Sequence, residues 1–248
     1  NYTAYDKAGN TDKGSRVVVI RDTTKPKFIG LEEGGIYNPA TIQVEDATLK
    51  TISVYSENDK TVTNVENGHV INQAGRYTIT AVDQKGNTET ITITVDTSVP
   101  TYTFNAGTVE YNNVYGTLNL KLHDENGIAS VVINGTQLPH TGYYVDINDG
   151  HAYTFQNGVN TVVVTDNLGN TATYTFNVDK EAPTYVISAG SIENNGAYEK
   201  LNLQLRDPNG IASVMINGTQ LPHTGNYVDI NDGHAYTFQN GLNKVFVK

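Results

Sequence analysis

The residues in this chain best suited to chemistry are the carboxylates and amides of a loop that occurs twice. Asp146-Ile147-Asn148-Asp149-Gly150 returns as Asp229-Ile230-Asn231-Asp232-Gly233. Carboxylate and amide oxygens are the ligands calcium takes. Asp146, Asn148, Asp149, Asp229, Asn231 and Asp232 are therefore the candidate calcium ligands, and calcium is the only cofactor the sequence suggests. The run departs from the Asp-x-Asn-x-Asp-Gly spacing and later Glu of the helix-loop-helix calcium site, and a plain Asx turn between two strands accounts for the same residues. His140, His151, His223 and His234 lie near these aspartates. Duplication of a whole unit copies every residue in it, so their recurrence alone assigns them no role. Tyr143, Tyr144 and Tyr153 are the candidate platform for stacking a sugar. With no Cys in the chain and no Gly-x-Ser-x-Gly elbow, no catalytic residue and no enzyme are expected.

The elements that hold these residues are expected to be strands. The 248 residues are 38% hydrophobic and 17% charged, with 23 Gly, 16 Tyr and no Trp. Thr, Val, Ile and Tyr favour pleated strands, and Gly, Asn and Asp favour the tight turns between them. A formal net charge of −10 repels phosphate backbones, so nucleic acid is not an expected partner. No apolar run reaches the roughly 20 residues of a membrane span. Without cysteine there is no disulfide frame, and each domain must stand on its own apolar core.

Internal repetition sets the organisation. Residues 126–158 read NGIASVVINGTQLPHTGYYVDINDGHAYTFQNG and residues 209–241 repeat them at an offset of 83, with changes only at Val132/Met215 and Tyr143/Asn226. A looser motif, Asp-x-x-Gly-Asn, stands at Asp6 to Asn10, Asp83 to Asn87 and Asp166 to Asn170. Each is followed by an alternating strand and Asp-x-x-x-Pro, at Asp22 to Pro26, Asp96 to Pro100 and Asp179 to Pro183. The expected division is a terminal hairpin of a preceding domain (1–25), a domain at 26–99, a domain at 100–182 and a domain lacking its last strand at 183–248. Alternation within 100–182 predicts strands near 102–105, 117–122, 129–133, 143–147, 153–156, 160–165 and 173–178. Seven short strands in 83 residues predict an all-β, immunoglobulin-like sandwich, repeated in tandem and rod-like.

The phrase from Gly75 to Asn87, GRYTITAVDQKGN, followed by Ile91-Thr92-Ile93-Thr94-Val95-Asp96 and Pro100, resembles the tandem bacterial Ig-like domains of Gram-positive cell-surface and secreted proteins. The resemblance implies an extracellular or wall-associated array serving as a structural spacer, as in adhesin stalks and surface layers. Its implied partners are neighbouring repeats, other copies of the chain and surface glycans, with no insertion into a membrane. A Lys–Asn isopeptide crosslink, known in such domains, would not be shared through Lys121, because its counterpart is Gln204.

The chain reads as a stretch cut in phase with its repeats. An alternative is a filament subunit, in which residues 1–25 of one copy complete the 183–248 domain of another by strand addition. A third reading makes the repeats carbohydrate- or ligand-binding accessory modules. Light scattering across a concentration series tests the filament. Multiples of 27.0 kDa that vanish on deleting residues 1–25 are its signature, and a strict monomer excludes it.

Overall fold

The computed structural model describes every residue except 1, 16, 18–20, 140, 223, 224, 232 and 234. Two compact units, 1–98 and 99–248, divide the chain. Among the described residues every regular element is a strand, and no helix is long and apolar enough to cross a membrane. The all-β class follows.

In the first unit, Tyr2–Tyr5 and Thr11–Gly14 form a separate antiparallel hairpin. The main sheet runs in the order Ile36–Tyr37, Thr88–Val95, Gly75–Asp83, Leu49–Ser56, Thr61–Val65. Two small ladders, Lys27–Ile29 with Gln43–Glu45 and Ala40–Thr41 with Val70–Ile71, form the facing layer. Strict alternation puts Tyr77, Ile79, Ala81, Ile91, Ile93 and Val95 inward. They meet Phe28, Ile42 and Val44 from the facing layer in one core. Side chains of period two leave one face for the core and one for Thr pairs such as Thr80 and Thr90, whose hydroxyls lie 3.1 Å apart.

The second unit is organised by one long strand, Asn119–Ile133. Its first half pairs with Thr101–Phe104 and Gly142–Asn148, and its second half with Thr136–Leu138 and Gly158–Asp166. The register breaks between His123 and Ile128. Leu120, Leu122 and Ile128 are buried on one parity; a second register shift, between Ile128 and Ser130, moves burial to Val131 and Ile133. The inward parity has changed, so one strand serves both layers. Just before this shift Gly127 stands at φ 85°, a backbone region that disfavours side chains. The expected strands at 117–122 and 129–133 are thus two halves of one strand joined through a bulge.

Tyr153 to Gln156 is not a strand, contrary to the alternation. Only an isolated bridge joins Asp149 to Tyr153. Side chains take over the role of a ladder: Phe155 N donates to Asp149 Oδ1 at 3.2 Å and Gln156 N to Asn160 Oδ1 at 2.9 Å. Phe155 plugs the core at 1% exposure. The hairpin Val109–Tyr111 with Val114–Thr117 and the short strand Thr136–Leu138 were not legible as strands, being three or four residues long.

Residues 183–248 repeat this plan. Leu203, Leu205, Ile211, Val214, Ile216, Leu221, Val228 and Ile230 form a core, and each has its counterpart 83 residues earlier in the core of residues 102–178. The differences lie where no counterpart of Thr171–Val178 occurs within 183–248. Tyr102 packs edge-on against Tyr174 and Phe176 at 4.6 and 5.2 Å, and Tyr115 is 8% exposed; their counterparts Tyr185 and Tyr198 are 68% and 41% exposed.

Three buried asparagines hold loops to this frame. Asn160, fully buried, accepts from Asn134 Nδ2 at 2.8 Å and Gln156 N, and donates to the carbonyls of Gln156 and Gly158. Asn119 and Asn202 donate to the carbonyls of Ala106 and Ala189. Replacing Asn160 with Ala removes four hydrogen bonds made by one buried amide, and the expected loss is about 2–4 kcal/mol. Urea unfolding followed by circular dichroism measures it; a loss near zero would show that Asn160 is dispensable.

Candidate functional site

The three Asp-x-x-Gly-Asn motifs adopt the same geometry. In each, one carboxylate oxygen accepts the backbone N–H groups two and four residues on. These distances are 2.9 and 2.8 Å at Asp6, 2.7 and 2.8 Å at Asp83, and 2.8 and 2.8 Å at Asp166. The other oxygen accepts the Asn side-chain amide at 2.7, 2.7 and 2.8 Å. The glycine sits at φ 87°, 88° and 90°, where a Cβ would be strained. The motif is a clasp that closes the turn of a hairpin.

Electrostatics follow from the donors. Burial pushes the Asp83 carboxyl up, but the Asn87 side chain and the backbone N–H groups of Asn87, Lys85 and Gly86 together hold it below the usual carboxylate range. At Asp6 the Asn10 side chain is the first cause of the same lowering, followed by the Asn10 backbone. Asp124 and Asp207, the other buried carboxylates, each accept an N–H two residues on, from Asn126 and Asn209 at 2.8 Å. Among the described residues, the aspartates buried as whole residues, Asp83, Asp124, Asp166 and Asp207, all hold turns. The donors gathered around Asp83 stabilise its charged form and leave it poorly disposed to shuttle protons.

The calcium candidates are placed apart from one another in role. Asp146 points outward from the sheet and accepts Asn105 Nδ2 at 2.8 Å. Asp149 turns inward, its side chain 5% exposed, and forms an ion pair with Lys180. Asn148 contributes its backbone carbonyl to His151 N and Ala152 N at 3.0 and 3.2 Å. In the twin, Asp229 accepts Gln204 Nε2 at 2.8 Å, and the Asn231 carbonyl accepts Ala235 N at 3.2 Å. Asp232, His140, His223 and His234 lie outside the described residues. Among the described residues no three His, Asp or Glu side chains converge as a metal-binding group.

The three tyrosines do not share a plane of approach. Tyr144 stacks on His123, with ring centroids 4.5 Å apart, and Lys121 Nζ stands 4.9 Å from its centroid. Tyr153 packs edge-on against Phe155 at 5.3 Å. Tyr143, 64% exposed, follows the opposite face of its strand from Tyr144. Sequence reading missed Lys180 and the asparagines at 119, 134 and 160. Their signal was recurrence at the 83-residue offset as Asn202, Asn217 and Asn243; Lys180 carried none.

The arrangement is a tandem set of immunoglobulin-like β-sandwiches. No family model and no curated protein matches the chain. Solved structures of low similarity include the fibronectin(III)-like modules of CbhA from Clostridium thermocellum, at 15% identity over 62% of this chain and 95% of that one, with a TM-score of 0.26. A 1.5-MDa bacterial ice-binding adhesin gives 15%, 86%, 88% and 0.22. The SGBP-B protein of a Bacteroides ovatus mixed-linkage glucan utilization locus, in complex with a mixed-linkage heptasaccharide, gives 13%, 85%, 61% and 0.23. Likenesses of this size identify neither a family nor a function.

Two outcomes follow from the clasps. Asp83 has a folded-state pKa below its unfolded value, so its contribution is complete above the ordinary carboxylate pKa near 4 and disappears as pH falls through the lower folded value. Thermal melts from pH 7 to pH 2 should therefore lose stability in the acid range, with a smaller loss in Asp83→Asn. An equal acid slope in the variant would rule Asp83 out as the source. Asp166→Ala should destabilise by about 2–5 kcal/mol, read as a shift in the urea midpoint.

Proposed function

We propose that this chain is a non-enzymatic structural repeat region of an extracellular surface protein, in which successive sandwiches act as spacers and the principal partners are neighbouring repeats of the same protein. The observation that carries this reading is the use made of the recurring chemical residues. The Asp–Asn pairs close hairpins, Asn119, Asn134 and Asn160 anchor loops, and Asp149 pairs with Lys180 at the end of a sandwich. Such residues resist opening of the fold. The formal charge of −10 keeps an exposed array soluble and discourages collapse of repeats onto each other.

Pulling the chain from its two ends tests the reading. Each intact repeat of about 75–85 residues should release roughly 25 nm of contour length at about 0.35 nm per residue, in separate force peaks. Smooth extension without peaks would remove the load-resisting role.

A further inference from the structure

Within residues 99–248, the segment from Asp179 to Pro183 joins two sandwiches, and its first half is fixed to the sandwich before it. Asp179 N donates to the Tyr115 carbonyl at 3.0 Å. Lys180 N donates to Asn157 Oδ1 at 2.9 Å, and Asn157 Nδ2 to Glu181 Oε1 at 3.1 Å. The Lys180 ammonium pairs with Asp149. Five residues separate the strand ending at Val178 from the one starting at Thr184, and three of them are tied back.

The following sandwich reaches across to this anchored segment. Asn209 Nδ2 donates to Asp179 Oδ2 at 2.7 Å, while Asp179 Oδ1 is held by Glu181 N at 2.9 Å. Asn209 is itself positioned, because its backbone N–H donates to the buried Asp207 at 2.8 Å. Beside it, Gly210 has φ 106°, and a Cβ there would stand 3.1 Å from Tyr111 Cε1. Tyr111 comes from the tip of the Val109–Tyr111 hairpin of the preceding sandwich. A charge-assisted hydrogen bond and a ring seated on a bare glycine backbone thus meet at one turn.

We infer that the Asn209-Gly210 turn is a docking surface for the preceding repeat, with Asp179 and Tyr111 as its socket, and that this latch fixes the angle between the two sandwiches. The partner it fits is specific in chemistry: an aspartate held immediately after a terminal strand, beside an aromatic hairpin tip. A flexible linker needs neither the anchored aspartate nor the close approach at Gly210. The inference concerns the geometry of the joint and stands apart from what the array carries.

The absence of native cysteine allows paired spin labels at introduced cysteines without further substitution. Thr175→Cys with Gln220→Cys spans the joint, and Thr175→Cys with Thr136→Cys lies within one sandwich; all three positions are exposed. Pulsed dipolar spectroscopy on the full chain should give a narrow distance distribution across the joint. Asn209→Ala should at least double its width and leave the internal pair unchanged. An unchanged width across the joint overturns the latch. Should Asn209→Ala also broaden the internal pair, Tyr111→Ala decides, since it leaves the Asp207 turn intact: a broadened joint supports the latch and an unchanged one overturns it.

Discussion

A buried N–H without an acceptor costs as much as a lost hydrogen bond, and a chain made of short strands has a turn to settle every few residues. Here the settlement is made by carboxylates and amides. Asp83 and Asp166 sit at 1% exposure, each gathering two backbone N–H groups and one side-chain amide. Without those acceptors the hairpins at Asp83 and Asp166 would leave these donors without protein partners. The clasps settle the turns at the rim of the apolar layers.

The same solution extends from turns to loops. Asn160 replaces a missing ladder between Gln156 and the neighbouring strand, allowing the chain to leave strand geometry and place Phe155 in the core. The main strand breaks register between His123 and Ile128 and again between Ile128 and Ser130, where it exchanges its inward face. A shift of one residue in a strand turns its side chains to the opposite face, so this bulge lets one strand build two layers. In residues 183–248 the corresponding stretch forms two strands, Asn202–Arg206 and Val214–Ile216, yet the eight buried positions persist. The core depends on inward positions more than on unbroken hydrogen-bonding.

Comparison of the near-identical repeats separates what a residue is from what its surroundings make of it. Tyr115 and Tyr198 share a place in the repeat, but one is buried and the other is not, because Phe176 covers only the first. Tyr144 is stacked by His123, whereas the residue opposite its counterpart Tyr227 is Arg206. Identical side chains thus acquire different contacts through residues outside the repeated block.

The sequence by itself determined the all-β class, the 83-residue period, most inward positions and the clasped turns. These depend on contacts within a few residues: alternation has a period of two, and a clasp spans only five positions. Asp6 shows this directly, forming the same three bonds as Asp83 and Asp166 while exposed to solvent. Only tertiary structure decided that Asp149 meets Lys180, that Asn134 meets Asn160, that Tyr144 meets His123 and that Asn209 grips Asp179. Those partners lie 21 to 31 residues apart, and no local pattern encodes which outward or loop side chains will coincide once the layers have closed.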